Sequence, residues 1–83
     1  MKVLFFAALR ERLGTGEEVV SLPEGIVTAA QLRDWLCQRG APWDDALGPD
    51  RALMCAVDEV LSPLSASIDG AQSVAFFPPV TGG

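Results

Sequence analysis

Eighty-three residues, 49% of them hydrophobic, make one domain of about the size of a helix on a single sheet and rule out a disordered chain. The net charge is −5, and the six basic residues (Lys2, Arg10, Arg12, Arg33, Arg39 and Arg51) are dispersed, which speaks against a nucleic-acid partner and for a basic patch on another protein. With no histidine, two separated cysteines and no signal or membrane-spanning pattern, neither a metal site nor a membrane location is expected; cytoplasm with reduced thiols is.

Val3 to Leu9 is an apolar run between Lys2 and Arg10, of a length that suits a buried strand. Val3, Phe5 and Ala7 would face one way and Leu4, Phe6 and Ala8 the other, so the strand is expected to be central. Gly14-Thr15-Gly16 marks a turn, and Glu18 to Leu22 reads as a shorter strand closed by Pro23.

Thr28-x-x-Gln31 has the form of a capping box. It opens a predicted helix of about twelve residues, with Ala29, Leu32, Trp35 and Leu36 on one face and Asp34, Cys37 and Gln38 roughly opposite. Gly40 and Pro42 end it. Residues 41–50, rich in Pro, Asp and Gly, are expected to form a connection pinned by Trp43 and Leu47. A strand Ala52 to Val57, a turn at Asp58-Glu59, a short Val60-Leu61 strand, a turn at Asp69-Gly70 and a last strand Ser73 to Phe77 complete the order. The result is an α+β domain, 1–77, with one main helix on one face of a mixed sheet of about five strands. One helix covers one face only, so the neighbours Phe5 and Phe6, or Phe76 and Phe77, cannot all be buried by it. Part of the surplus is expected under the 41–50 connection, and the rest predicts a protein interface.

Catalysis by this chain alone is not expected. There is no imidazole base, and Gly14-Thr15-Gly16 lacks the spacing and the Lys-Ser/Thr of a phosphate loop. Cys55 alternates with Leu53 and Val57 and reads as core; Cys37 falls on the outer helix side, with no visible neighbour to make it a redox thiol. The acidic pairs Glu17-Glu18, Asp44-Asp45 and Asp58-Glu59 read as solvated.

The last residues differ. Pro78-Pro79-Val80-Thr81-Gly82-Gly83 leaves a strand, stiffens at two prolines and ends in two glycines. Prolines keep such a segment extended and out of the ladder, so it can reach up to about 20 Å past the fold. Glycines let it enter a narrow channel, and the carboxylate of Gly83 can attack the α-phosphate of an ATP held by a partner. A frayed terminus is the competing reading, and a stiff spacer feeding Gly-Gly weighs against it.

The ending Val74-Ala75-Phe76-Phe77-Pro78-Pro79-Val80-Thr81-Gly82-Gly83 closely resembles that of the small subunits of molybdopterin synthase. So do the start, Val3-Leu4-Phe5-Phe6-Ala7 with Arg10-Glu11 and Gly14-Thr15, the Leu53 to Val57 strand and the overall length. The resemblance implies a ubiquitin-like β-grasp fold and a sulfur carrier without metal, cofactor or active site of its own. In that family an E1-like adenylyltransferase uses ATP to adenylate the residue matched by Gly83. A sulfur donor of cysteine desulfurase or rhodanese type then makes the thiocarboxylate. The tail, here Pro78 to Gly83, inserts into the large catalytic subunit, which builds the molybdopterin dithiolene from cyclic pyranopterin monophosphate in a heterotetramer of two large and two small subunits. This sequence departs from the family at Asp69-Gly70, followed by Ala71-Gln72-Ser73 rather than an acidic pair and one residue longer. It departs again at Asp58, where asparagine is common. The alternatives are a carrier for thiamine or another thio-cofactor, a ubiquitin-like modifier joined to lysines through Gly83, and a passive interaction domain.

Overall fold

Alternation along the first strand, β1 (Lys2–Phe5), sends Val3 and Phe5 inward, 0% and 1% exposed, and leaves Lys2 and Leu4 on the other face. The computed structural model describes residues 1–79. Within them follow α1 (Ala8–Leu13), β2 (Glu17–Val19), α2 (Ala29–Cys37), α3 (Trp43–Leu47), β3 (Met54–Val57), β4 (Val60–Ser62) and β5 (Ser73–Phe77). The sheet has five strands in the order β2-β1-β5-β3-β4, with β1 and β5 parallel and the other pairs antiparallel. The mixed α+β sheet of the β-grasp is therefore present, and β1 lies inside it, as expected of a strand apolar on both faces.

The first apolar run is two elements rather than one strand. Ala7 turns the chain at φ 54°, a conformation that strains an alanine by about 1–3 kcal/mol, and α1 begins at the next residue. Leu9 and Leu13, four apart, then share a helical face; Leu9 is buried and Leu13 packs against the core. Gly14 closes α1 in the left-handed conformation, φ 74°, its N–H donating to the Arg10 carbonyl at 3.0 Å.

In α2 the capping box forms as its sequence predicts. The Thr28 hydroxyl accepts from the Gln31 N–H (3.2 Å), and Gln31 Oε1 accepts from the N–H groups of Val27 (2.7 Å) and Thr28 (3.1 Å). Ala29, Leu32 and Leu36 are buried and Trp35 half-buried on the expected face. The helix is nine residues long, shorter than expected.

Residues 41–50 hold a helix where a loop was expected. Trp43, Ala46 and Leu47 stand at i, i+3 and i+4 and turn inward, a period masked by the surrounding Pro, Asp and Gly. Asp44 and Asp45 sit in its first turn, where the helix dipole favours negative charge. A side chain at Gly48 would collide with the Asp44 carbonyl, so glycine lets the chain leave closely against α3. α1, α2 and α3 all pack on the face carrying Val3, Phe5, Cys55, Val74 and Phe76. The 41–50 segment therefore covers none of the opposite face, contrary to expectation.

Candidate functional site

The tail is rooted in the middle of the sheet. β5 is bonded on one side to β1, Lys2 opposite Ser73 through Phe5 opposite Phe76, and on the other to β3, Met54 opposite Phe77 through Val57 opposite Val74. Val74 and Phe76 are fully buried, and the Phe76 ring lies parallel to Phe5 at 6.4 Å between centroids. Phe5 in turn meets the Trp43 ring edge-on at 5.5 Å. This aromatic stack fixes the last strand, and Pro78, half-buried, and Pro79, exposed, carry the chain on from it. Neither proline has an N–H to extend the ladder. The predicted site residues Val80, Thr81, Gly82 and Gly83 lie outside the described residues.

Beside this root is the sheet face without helices. Cross-strand registers place Leu4, Ala75, Ala56 and Leu61 in one row and Phe77 with Met54 in the next. Phe6, just past β1, donates its N–H to the Phe76 carbonyl at 3.1 Å and is 47% exposed; Leu61 is 62% exposed. These residues form a partly exposed apolar row, the kind of surface on which a protein partner can dock.

At the other end of the sheet, the Asp58-Glu59 turn joins β3 to β4 with both residues left-handed, φ 47° and 71°. Asp58 is more than a turn residue. Its Oδ1 accepts from the N–H groups of Gln72 (2.8 Å) and Ser73 (2.9 Å), and its own N–H donates to the Ser73 carbonyl at 3.0 Å. Both departures from the family pattern thus meet in one contact: the carboxylate takes up the backbone donors of the longer 70–73 turn and ties it to the hairpin. Asp58→Asn, which keeps the acceptor oxygen and tolerates the left-handed backbone, is expected to unfold within about 0.5 kcal/mol of the native chain. Asp58→Ala is expected to lose about 1–2 kcal/mol, because it removes the acceptor and adds strain; urea denaturation of the two variants checks this.

Sequence reasoning did not single out Arg39. Its guanidinium bonds both carboxylate oxygens of Glu18, one at 2.9 Å, and lies 4.5 Å from the Trp43 ring centre and 5.9 Å from that of Trp35. That hydrogen bonding holds the Glu18 carboxyl below its ordinary pKa and Arg39 above its own. The clamp joins β2 to the ends of α2 and α3 and does no visible chemistry. Glu17 meets Lys2 at 3.7 Å. So the Glu17-Glu18 pair is ion-paired rather than merely solvated.

The thiols are inert by environment. Cys55 is buried, as expected, its Sγ donating to the Ser62 carbonyl at 3.2 Å. Cys37 does not stand on the open outer side: it is half-buried against the core edge, with Sγ 3.9 Å from the Trp43 carbonyl. Burial pushes both thiols above their ordinary pKa, away from the thiolate a nucleophile needs. Among the described residues no group of three or more His, Cys, Asp or Glu side chains is placed to hold a metal, and no helix is long and apolar enough to cross a membrane.

Comparison with known proteins agrees with this geometry. The molybdopterin synthase sulfur carrier subunit of Haemophilus influenzae is 39% identical over 83 residues, covering all of this chain and 99% of the relative. That of Escherichia coli is 37% identical with the same coverage. Among solved structures, SAMP1 from Haloferax volcanii superposes with a TM-score of 0.70 over 99% of this chain and 97% of its own, at 22% identity. A Pyrococcus furiosus structure gives 0.69 over 95% of each chain at 23% identity. These two likenesses speak for the ubiquitin-like fold alone. The ThiS family model matches residues 3–83, taking in the sheet, the helices and the terminal Gly-Gly together, and with the two full-length relatives it places this chain in the ThiS family, among the sulfur carrier subunits of molybdopterin synthase.

Proposed function

We infer that this chain is the sulfur carrier subunit of a molybdopterin synthase. The observation that carries the reading is the full-length relation to two such subunits, which extends through the glycine pair. Its working parts are the domain 1–77 and the tail 78–83. The chemistry needed of it is small. The Gly83 carboxylate attacks the α-phosphate of ATP on an E1-like partner, forming a mixed anhydride and releasing pyrophosphate. A persulfide sulfur from a desulfurase or rhodanese-type donor then displaces AMP at the carbonyl carbon, and cleavage of the S–S bond by a thiol leaves the thiocarboxylate. Inserted into the large subunit, this tail gives up its sulfur to cyclic pyranopterin monophosphate. The catalytic residues and the ATP belong to the partners; the carrier contributes a nucleophile on a stiff leader and works in the cytoplasm. The open face of Leu4, Phe6, Met54, Ala56, Leu61 and Phe77 adjoins the root of that leader. A partner docked there receives the tail in a fixed direction, and the assembly proposed is a heterotetramer of two large and two small subunits.

Intact-mass measurement on protein from cells with the pathway active tests the reading. A population about 16 Da heavier, mapped to Gly83 and lost on mild hydrolysis, is the expected result, oxygen having been replaced by sulfur at the terminal carbonyl. Gly83 found only as the free acid in those cells, or joined to lysines of other proteins, would overturn it. Rescue of a strain lacking molybdopterin sulfur transfer, and not of one lacking thiamine sulfur transfer, is expected as well.

A further inference from the structure

Six cations stand against eleven acids in this chain, and the fold engages four of them. Lys2 meets Glu17 at 3.7 Å, Arg33 meets Asp34 at 3.0 Å, and Arg39 bonds Glu18 at 2.9 Å. Arg51 Nε donates to the Asp45 carbonyl at 2.8 Å. Arg10 and Arg12 are exposed, and neither has an ion-pair or hydrogen-bond partner among the described residues. Both belong to α1, with Glu11 between them and bonded to neither.

This helix is held at the end of the sheet where the tail leaves. β1 and β5 are parallel, with Phe5 level with Phe76, and the Phe6 N–H reaches the Phe76 carbonyl at 3.1 Å. α1 begins two residues later and packs against β5. The turn between them is Ala7, at φ 54° and ψ −132°, a backbone that strains a residue with a Cβ. Strain of this kind persists where the surrounding structure enforces it, commonly at functional segments, and here it secures α1 beside the tail root. Gly16 makes room for Arg10: a Cβ at that position would meet Arg10 Nε at 3.0 Å. Both arginines stand in the last turn of α1, where the helix dipole favours a cation by about 0.3–1 kcal/mol. That accounts for their charge and not for their place.

We propose that Arg10 and Arg12 meet acidic side chains of the large subunit at the rim where it takes up the tail. A net charge of −5 favours a basic partner over most of the surface. Two unpaired arginines beside the tail root reverse that sign locally. A partner with acids opposite α1 and bases elsewhere is turned to one orientation before contact. Phe6 joins this rim to the open face, since the chain runs from Phe6 through Ala7 into α1. Residues two apart on a helix stand about 200° apart around its axis, so each arginine meets an acid of its own. The inference rests on the proposed function for the identity of the partner.

Calorimetric titration of the full chain into the large subunit tests this in about 0.1 M and about 1 M salt, where charges are screened beyond about 10 Å and about 3 Å. Arg10→Gln with Arg12→Gln removes two positive charges from α1; Arg33→Glu lowers the net charge by the same amount on α2. At the lower salt the double Gln variant is expected to bind at least about tenfold more weakly than the native chain, and Arg33→Glu within about threefold of it. At the higher salt the loss is expected to shrink to about threefold or less. Arg10→Lys with Arg12→Lys keeps both charges and is expected to bind within about threefold throughout. Equal weakening by Arg33→Glu would mean that net charge alone acts, and would overturn the proposal. So would a loss that survives the higher salt, or a double Gln variant that loses stability in urea but no affinity, which would leave the helix dipole as the arginines' role. Tighter binding by that variant would overturn it as well, showing the arginines held by the chain's own carboxylates. A native chain that does not bind the large subunit at all is a different result: it overturns the proposed function and removes this proposal with it.

Discussion

Deleting Gly83 is expected to abolish loading of the carrier, with adenylate formation falling at least about 100-fold, while the unfolding midpoint stays where it was. The truncated chain still ends in a glycine carboxylate, so its chemistry is unchanged; only its reach is altered. One residue of extended chain is about 3.5 Å, and a nucleophile must come within about 3–3.5 Å of the phosphorus it attacks, so that an error of about 1 Å already costs about 100-fold. Stability is a separate matter. The buried residues run from Val3 to Phe76, Pro79 is exposed, and the deletion lies beyond both. A change of less than about 0.5 kcal/mol is therefore expected in urea denaturation. Pyrophosphate exchange with the activating partner reads the first effect. Exchange by the truncated chain at the rate of the full one would show that the terminus is idle, and the carrier reading would fall.

The residues that were legible in the sequence are those whose signal is local. The Thr28-Gln31 box names a helix start because both partners lie within one turn, and it forms as written. Ser73 to Phe77 is bounded by a turn and by prolines, and β5 has those limits. What escaped depends on distant partners or on one backbone angle. An alternating reading of Val3 to Leu9 cannot detect that Ala7 reverses the chain at positive φ and passes Leu9 to a helix. α3 was hidden because five residues among Pro, Asp and Gly carry less than two turns of period. Arg39 was one of several dispersed cations until the fold brought Glu18, twenty-one residues away, onto it and placed two indoles beside it. Asp58 was likewise a turn residue until Gln72 and Ser73 arrived on its carboxylate. Of the tail, the sequence motif alone speaks for Gly82 and Gly83, and the described structure follows it only as far as Pro78, half-buried, and Pro79, exposed.

The apolar surplus read from Phe5-Phe6 and Phe76-Phe77 leads to the second large effect. Val60 and Leu61 are neighbours on the edge strand β4 and almost equally exposed, 64% and 62%, yet they point to opposite faces. Leu61 continues the row of Leu4, Ala75 and Ala56 on the open face, and Val60 pairs with Val57 on the helical side. If partners dock on the open face, Leu61→Asp puts a charge into a surface that must be dried, and a buried, unpaired charge costs several kcal/mol before any loss of apolar contact. A weakening of at least about 2 kcal/mol, roughly thirtyfold in Kd for the large subunit, is expected. Val60→Asp makes the same chemical change one residue away on the other face and is expected to bind within about threefold of the native chain. Since both side chains are already mostly in water, neither variant is expected to lose more than about 1 kcal/mol of stability. Calorimetric titration of both variants into the large subunit separates the faces. Equal affinities would move the interface off the open sheet, whereas loss on Val60→Asp alone would place it on the helical side.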